Sequence, residues 1–142
     1  MRILAIDFGE KRIGLALSDP DTRLALPLTT LNRRSDKEAI AAITQIVQDQ
    51  QVSQLVVGEP LNMDGSRGDS ARRTASFARK LQSATGLQCV MVDETLTSIA
   101  ARDRLIEAGV DLRRHPDRVD AVAAQLLLEE FLANSDPSSQ ND

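Results

Sequence analysis

The sequence predicts an α/β fold in which helices cover both faces of a mixed five-stranded sheet. Three extended segments joined by short turns come first, which is typical of an antiparallel meander. Two short apolar strands follow, each reached through a helix, and such crossovers join parallel strands. A chain of 142 residues suits a single domain. We place that domain at residues 1–133 and expect a flexible tail at 134–142.

Turn-forming residues separate the three strands of the meander. Residues 2–8 form an apolar strand, and residues 13–17 return beside it after a glycine-containing turn. The sequence Ser-Asp-Pro-Asp at 18–21 is a strong turn signal, so the third strand follows at residues 24–31.

Helical periodicity and capping residues identify the remaining elements. Ser35 and Glu38 form a capping box at the start of a helix over residues 36–50. The later elements are, in chain order, a strand at 54–57, a helix at 70–84, a strand at 88–92, a helix at 95–108 and a helix at 116–132.

The scarcity of two residue types excludes several chemistries. His115 is the single histidine and Cys89 the single cysteine, so histidine-based triads and zinc sites lack their usual groups. Because Cys89 stands in an apolar stretch, we expect it to be a buried core thiol. Carboxylates and hydroxyls remain as candidate catalytic groups.

The sequence has neither a membrane segment nor the layout of a secretion signal. No apolar run approaches the ~20 residues that span a bilayer, so we expect a cytoplasmic protein. The net charge of −4 argues against nucleic-acid binding by the whole surface. Basic residues cluster locally, and each cluster is equally well explained as solvated surface. The clusters are Arg33 with Arg34; Arg67, Arg72, Arg73, Arg79 and Lys80; and Arg113, Arg114 and Arg118.

Acidic residues from three separate segments are the candidates for a site. Asp7 ends the first strand, where it either caps the next turn or serves a functional site, and the two interpretations are equally supported. Asp93 and Glu94 follow the last strand. Asp93 is the natural helix cap, which leaves Glu94 as the better site residue.

Helical spacing turns Asp120 toward the sheet. It shares a face with Ala123, Ala124 and Leu127, so its carboxylate needs a cation or other compensation. Asp117 lies on the same side; it is either a fourth ligand or, more simply, a first-turn residue that complements the helix dipole.

Three carboxylates brought together repel one another unless a cation lies between them. Oxygen ligands of this kind select Mg²⁺ or Mn²⁺, which can drive phosphodiester hydrolysis without a histidine. With no Trp or Tyr, only Phe8, Phe77 and Phe131 are available for base stacking, so backbone recognition is favoured. The predicted nucleic-acid-binding residues are Gly9, Lys11, Arg12, Arg72 and Arg73.

Four motifs, distributed over nearly the whole chain, resemble the motifs of a known protein family. They are DFGEKRIGLA at 7–16, VGEP at 57–60 with MDG at 63–65, DETLTS at 93–98, and VDAVAA at 119–124. Together they resemble the YqgF/RuvX family of Holliday junction resolvase-like nucleases. The resemblance implies a ribonuclease H-like fold with strand order 3-2-1-4-5 and a nuclease that processes the 5′ end of pre-16S ribosomal RNA.

Carried over by position, the catalytic and metal-binding acids of this family fall on Asp7, Glu94 and Asp120. The implied partners are pre-rRNA or branched DNA, together with ribosomal precursor particles. Two positions depart from the family pattern. Thr95 stands where the family usually has Arg, with Arg102 or Arg104 as substitutes. Glu59 is an acid where an apolar residue is usual, and since related resolvases carry a catalytic acid after the equivalent strand, it is a second candidate that would supplement Glu94.

Other functions stay open at this point. An Asp-x-Gly turn between strands also resembles the phosphate loop of actin-like ATPases and sugar kinases, which need two such domains. A noncatalytic RNA-binding module for ribosome assembly is another alternative, as is a DNA junction resolvase. A resolvase that cuts both strands would need a symmetric dimer, whereas the sequence is compatible with a monomer or a homodimer.

Overall fold

A computed structural model describes residues 2–62, 64–94 and 97–135 of the chain, with five strands and four helices in that part. The strands are β1 (Arg2–Phe8), β2 (Arg12–Ser18), β3 (Ala25–Asn32), β4 (Val52–Glu59) and β5 (Cys89–Asp93). The helices are α1 (Asp36–Asp49), α2 (Asp69–Thr85), α3 (Thr97–Glu107) and α4 (Pro116–Ser135).

The strands form one mixed sheet in the order β3-β2-β1-β4-β5, which confirms the predicted order. The meander β1 to β3 is antiparallel, whereas β4 and β5 run parallel to β1. Strand β4 is twice as long as predicted, because it pairs with β1 on one side and β5 on the other. The parallel strands β1, β4 and β5 therefore end at the same edge of the sheet.

Two apolar cores lie on opposite faces of this sheet, as the alternation of strand side chains requires. Leu4 and Ile6 of β1 belong to the core beneath α1 and α2. Ala5, between them, belongs to the core beneath α4. Asp7 continues the alternation on the α4 face, so β1 delivers an acid to that side of the sheet.

Local signals account for several helix ends. The hydroxyl oxygen of Ser35 accepts a hydrogen bond from the backbone N–H of Glu38 at 3.1 Å, which is the expected cap of α1. Gly86 ends α2 in the left-handed region with φ 74°. Helix α4 continues through Ser135, and the rest of the predicted tail, residues 136–142, lies outside the described residues.

Two expectations about single side chains were wrong. Phe77 was a candidate for base stacking, but it is fully buried and stacks on Phe8 with 4.5 Å between ring centroids. Its position on the buried face of α2 removes it from any ligand. Cys89 was expected in the core, yet it is only half-buried because β5 is an edge strand, and this burial raises the pKa of its thiol to about 11.

No helix in the described part of the chain is both long enough and apolar enough to cross a bilayer.

Candidate active site

Asp7 and Glu94 meet on the α4 face of the sheet. Asp7 lies near the carboxyl end of β1, and Glu94 directly follows β5. Their carboxyl groups share a hydrogen bond. Since β4 separates β1 from β5, the Glu94 side chain has to reach across one strand, a sideways step of about 4.8 Å per strand.

Gly58 of β4 provides the room for this crossing. A Cβ at this position would overlap the Oε2 atom of Glu94 and would come within 3.1 Å of Leu127. The carboxyl group of Glu94 therefore lies against the backbone of β4, where any other residue would put its side chain. A glycine inside an apolar strand often marks such a close approach.

The pKa of both acids is raised in this environment. Burial, the hydrogen bond with Asp7 and the charges of Asp7 and Asp93 together raise the pKa of Glu94 to about 10, with burial as the largest cause. Burial also raises the pKa of Asp7, partly opposed by the hydrogen bond with Glu94 and assisted by the charge of Asp120. The pair therefore retains a proton near neutral pH when no cation compensates its charge.

Asp120 approaches this pair from the first part of α4. Its backbone packs on Gly14 of β2 so closely that a Cβ on Gly14 would overlap the carbonyl group of Asp120. Its side chain accepts a hydrogen bond from Nε of Arg12 at 2.7 Å, which is also an ion pair. Its charge acts on Asp7. The three acids thus come from β1, the end of β5 and α4, as the sequence predicted.

The arrangement is not a ready-made metal cage. Among residues 2–62, 64–94 and 97–135, no three acid, cysteine or histidine side chains are grouped closely enough to hold an ion. Asp7 and Glu94 are in contact, whereas Asp120 is turned toward Arg12. The donor set consists only of carboxylate oxygens, which suits Mg²⁺ or Mn²⁺.

The side chains of the other candidate acids do not join the contact between Asp7 and Glu94. Glu59, at the end of β4, forms an ion pair with Nε of Arg67 at 2.6 Å. Strand alternation directs Glu59 to the face opposite Gly58 and hence away from Glu94. Asp117 and Asp93 are exposed. Thr95, the departure from the family pattern, lies outside the described residues.

The predicted nucleic-acid-binding residues fall into two groups. Gly9, Lys11 and Arg12 form or follow the turn between β1 and β2, and Lys11 is exposed. Arg73 of α2 forms an ion pair with Glu10 at 2.9 Å, which ties this helix to that turn. Arg72 is exposed and pairs with Asp69 at 2.8 Å. The structure therefore brings Arg73, more than Arg72, to the edge that carries the acids.

Sequence reasoning missed Gly14 and Gly58, which position Asp120 and Glu94. Gly14 lies within the apolar run of its strand and Gly58 directly follows one, and a glycine at such a position was the available signal. What each one touches depends on the packing of α4 and of the chain after β5.

The sheet order and the three acids on its α4 face define a ribonuclease H-like protein with a carboxylate site. A family profile described as "RuvX: Holliday junction resolvase" matches residues 1–134. The chain belongs to this family.

Curated relatives agree with that assignment. A protein of Chloroflexus aurantiacus named "Putative pre-16S rRNA nuclease" is 45% identical over 130 residues, covering 92% of this chain and 85% of the relative. A protein of Anaeromyxobacter dehalogenans with the same name is 42% identical over 137 residues, covering 96% of this chain and 100% of the relative. Among solved structures, Thermus thermophilus RuvC in complex with a Holliday junction substrate aligns with a TM-score of 0.59 at 16% identity, covering 96% of this chain and 97% of RuvC. That likeness supports the fold.

Proposed function

We propose that this protein is a nuclease that hydrolyses phosphodiester bonds with the help of Mg²⁺ or Mn²⁺ held by Asp7, Glu94 and Asp120. One observation carries the proposal: two carboxyl groups from distant segments are buried against each other, with a third acid close enough to act on their charge. Such a pair is unfavourable in a core unless a proton or a cation compensates it.

The chemistry follows from these groups. A divalent cation, when bound, would supply an activated water and would offset the negative charge that develops on the leaving oxygen. The carboxylates of Asp7, Glu94 and Asp120 would hold this cation, and Asp120 would then be exchanged from its ion pair with Arg12. The freed guanidinium of Arg12 and the ammonium of Lys11 would then be available to bind phosphate oxygens.

The substrate we propose is the 5′ end of pre-16S ribosomal RNA, in the cytoplasm and within ribosomal precursor particles. The names of the two relatives support this choice, since they align over nearly the whole of this chain. A DNA four-way junction is the second candidate because of the family's description. A junction resolvase would act as a symmetric dimer, whereas RNA processing is compatible with a monomer.

Cleavage of matched substrates tests this proposal. A pre-16S 5′-end RNA and a four-way DNA junction are each incubated with the protein in Mg²⁺, Mn²⁺ or EDTA. Asp7→Asn and Asp120→Asn are compared with Asp103→Asn, which removes an exposed acid of α3. We expect RNA cleavage that requires Mg²⁺ or Mn²⁺. Asp7→Asn and Asp120→Asn should abolish it, whereas Asp103→Asn should not.

Three results would contradict the proposal or its choice of substrate. Cleavage that persists unchanged in EDTA or in Asp120→Asn would remove the metal role of these acids. RNA binding without cleavage by the unaltered protein would favour the noncatalytic assembly module. Cleavage of the junction but not of the RNA would assign the DNA function, and sedimentation of the free protein would then have to show a dimer.

A further inference from the structure

A pocket of about 140 Å³ lies beside the candidate active site, next to Asp120. It is lined by Arg12, Arg102, Leu112, Pro116, Val119 and Asp120. Neither Asp7 nor Glu94 lines it, so the pocket adjoins the proposed metal-binding acids without being their centre. Its wall is formed by the start of β2, helix α3, the segment that leads into α4 and the first residues of α4 itself.

The pocket carries an excess positive charge. Arg12 is neutralised by its ion pair with Asp120 at 2.7 Å. Arg102 is exposed on α3, and no ion pair of its side chain occurs within the described ranges. Arg104, two residues further along the same helix, instead faces Glu129 of α4 at 3.4 Å. Of the two α3 arginines, Arg102 is therefore the one available to an anion.

The size of the pocket suits one phosphate group. A volume of about 140 Å³ is well above what one water molecule needs, so the pocket can admit a larger polar group. A phosphate has one phosphorus and four oxygens. Two guanidinium groups can each donate two parallel hydrogen bonds to phosphate oxygens, a geometry that a single ammonium cannot provide.

We propose that this pocket binds a backbone phosphate adjacent to the one that is cleaved, and that Arg102 is its positioning residue. The inference rests on the proposed nuclease function. Arg12 lines the same pocket and would bind the same phosphate when its ion pair with Asp120 is exchanged. The bound strand then continues past the cleaved bond along the α3 side of the molecule.

The salt dependence of binding tests the role of Arg102. The probes are a labelled RNA hairpin with the pre-16S 5′-end sequence and a four-way DNA junction, both in EDTA so that neither is cleaved. Each phosphate contact contributes about 0.7 to 0.9 to the slope of log affinity against log salt. We expect Arg102→Gln to reduce the magnitude of that slope by about 0.7 to 0.9, the contribution of one phosphate contact. Binding at low salt should weaken about two- to fivefold.

Two variants separate this role from a general loss of charge. Arg104→Gln removes the same charge from the same helix and should leave the slope unchanged. Arg102→Lys keeps a cation in the pocket and should restore most of the slope. Thermal unfolding of the two Arg102 variants should match that of the unaltered protein, and Arg104→Gln should differ only slightly because its ion pair with Glu129 is exposed.

Equal slopes for Arg102→Gln and Arg104→Gln would overturn the inference, as would failure of the unaltered protein to bind either probe. The cleavage assay above reports separately on the proposed function. Salt-dependent binding with metal-dependent cleavage but no effect of Arg102→Gln would reject the pocket alone. A loss of slope in Arg102→Gln without any cleavage would reject the nuclease and retain the pocket as an anion site.

Discussion

The carboxyl group of Glu94 lies against the backbone of Gly58 on its way to Asp7. The glycine belongs to β4, the strand that separates the two acids in the sheet. The contact between Asp7 and Glu94 therefore depends on a residue that has no side chain and no chemistry of its own.

Gly58→Ala should impair the site more than the fold. Its Cβ would overlap Oε2 of Glu94, which is the end of a flexible side chain and can move aside. Movement of Glu94 away from Asp7 should lower metal-dependent cleavage at least about tenfold, which corresponds to about 1.4 kcal/mol of transition-state stabilisation. Cleavage rates and thermal unfolding are the measurements.

The matched control for this variant is Gly68→Ala. A Cβ on Gly68 would have the Oδ1 atom of Asn62 as its nearest neighbour at 3.3 Å, away from the acids. If the two variants have the same cleavage rate, Gly58 does not act through Glu94.

Gly14→Ala, in contrast to Gly58→Ala, should destabilise the fold more than it impairs the site. A Cβ on Gly14 would overlap the backbone carbonyl of Asp120, which can move only if α4 shifts as a whole. Overpacking of this kind costs about 1 to 3 kcal/mol, and we expect the upper end of that range because the obstacle is backbone. Urea unfolding measures the loss, and a change below about 0.5 kcal/mol would be that of an ordinary surface substitution.

The metal-free protein should lose stability as the pH rises, and Glu94 should be the main cause. Its pKa is about 10 in the folded protein against an ordinary 4.5. Between those values the folded state keeps a proton that the unfolded chain has released. The contribution of the protonated Glu94 is therefore complete below about pH 4.5 and is lost as the pH rises toward about 10.

Urea unfolding in EDTA at pH 5, 7 and 9 measures this effect. Glu94→Gln should remove most of the decline, whereas Glu129→Gln, an exposed acid of α4, should leave it in place. Added Mg²⁺ should stabilise the unaltered protein more at pH 9 than at pH 5, since the cation competes with the proton. Parallel stability curves for Glu94→Gln and the unaltered protein would exclude a buried proton at this position.

Asp36 should have the reverse pH dependence. Burial raises its pKa, but the hydrogen bonds and charges of Arg33 and Lys80 outweigh this effect and lower the pKa below its usual 3.8. The stabilisation is therefore present above about pH 3.8 and is lost as the pH falls through the lowered pKa. The Lys80 contact also joins α2 to the start of α1.

Asp36→Asn should cost about 0.2 to 1 kcal/mol per ion pair near pH 7, and less in high salt. Urea unfolding at pH 7 and pH 3 provides the comparison, with Asp103→Asn as the control for loss of an exposed acid. A difference between Asp36→Asn and the unaltered protein that is as large at pH 3 as at pH 7 would show that the carboxylate charge is not involved.

The sequence alone predicted the order of the elements and the acids of the candidate site. Short turns join β1 to β3 and helices lead into β4 and β5, so chain connectivity was enough to predict the sheet. Asp120 was identified because its own helix places it beside apolar residues. Phe77 shows the limit of such patterns, since an aromatic residue reads the same whether it faces a ligand or a core.

Residue periodicity determined which acids point toward the sheet, because it reports the geometry of one helix or strand at a time. Only the tertiary structure decided that Glu94 reaches Asp7 over Gly58, that α4 rests on Gly14, and that Arg12 holds Asp120. These contacts join different elements, and their distances depend on how closely two backbones approach. A glycine on the strand between or beneath the partners allows the close approach, because it has no side chain there. The sequence pattern of either partner alone does not show which residue it will face.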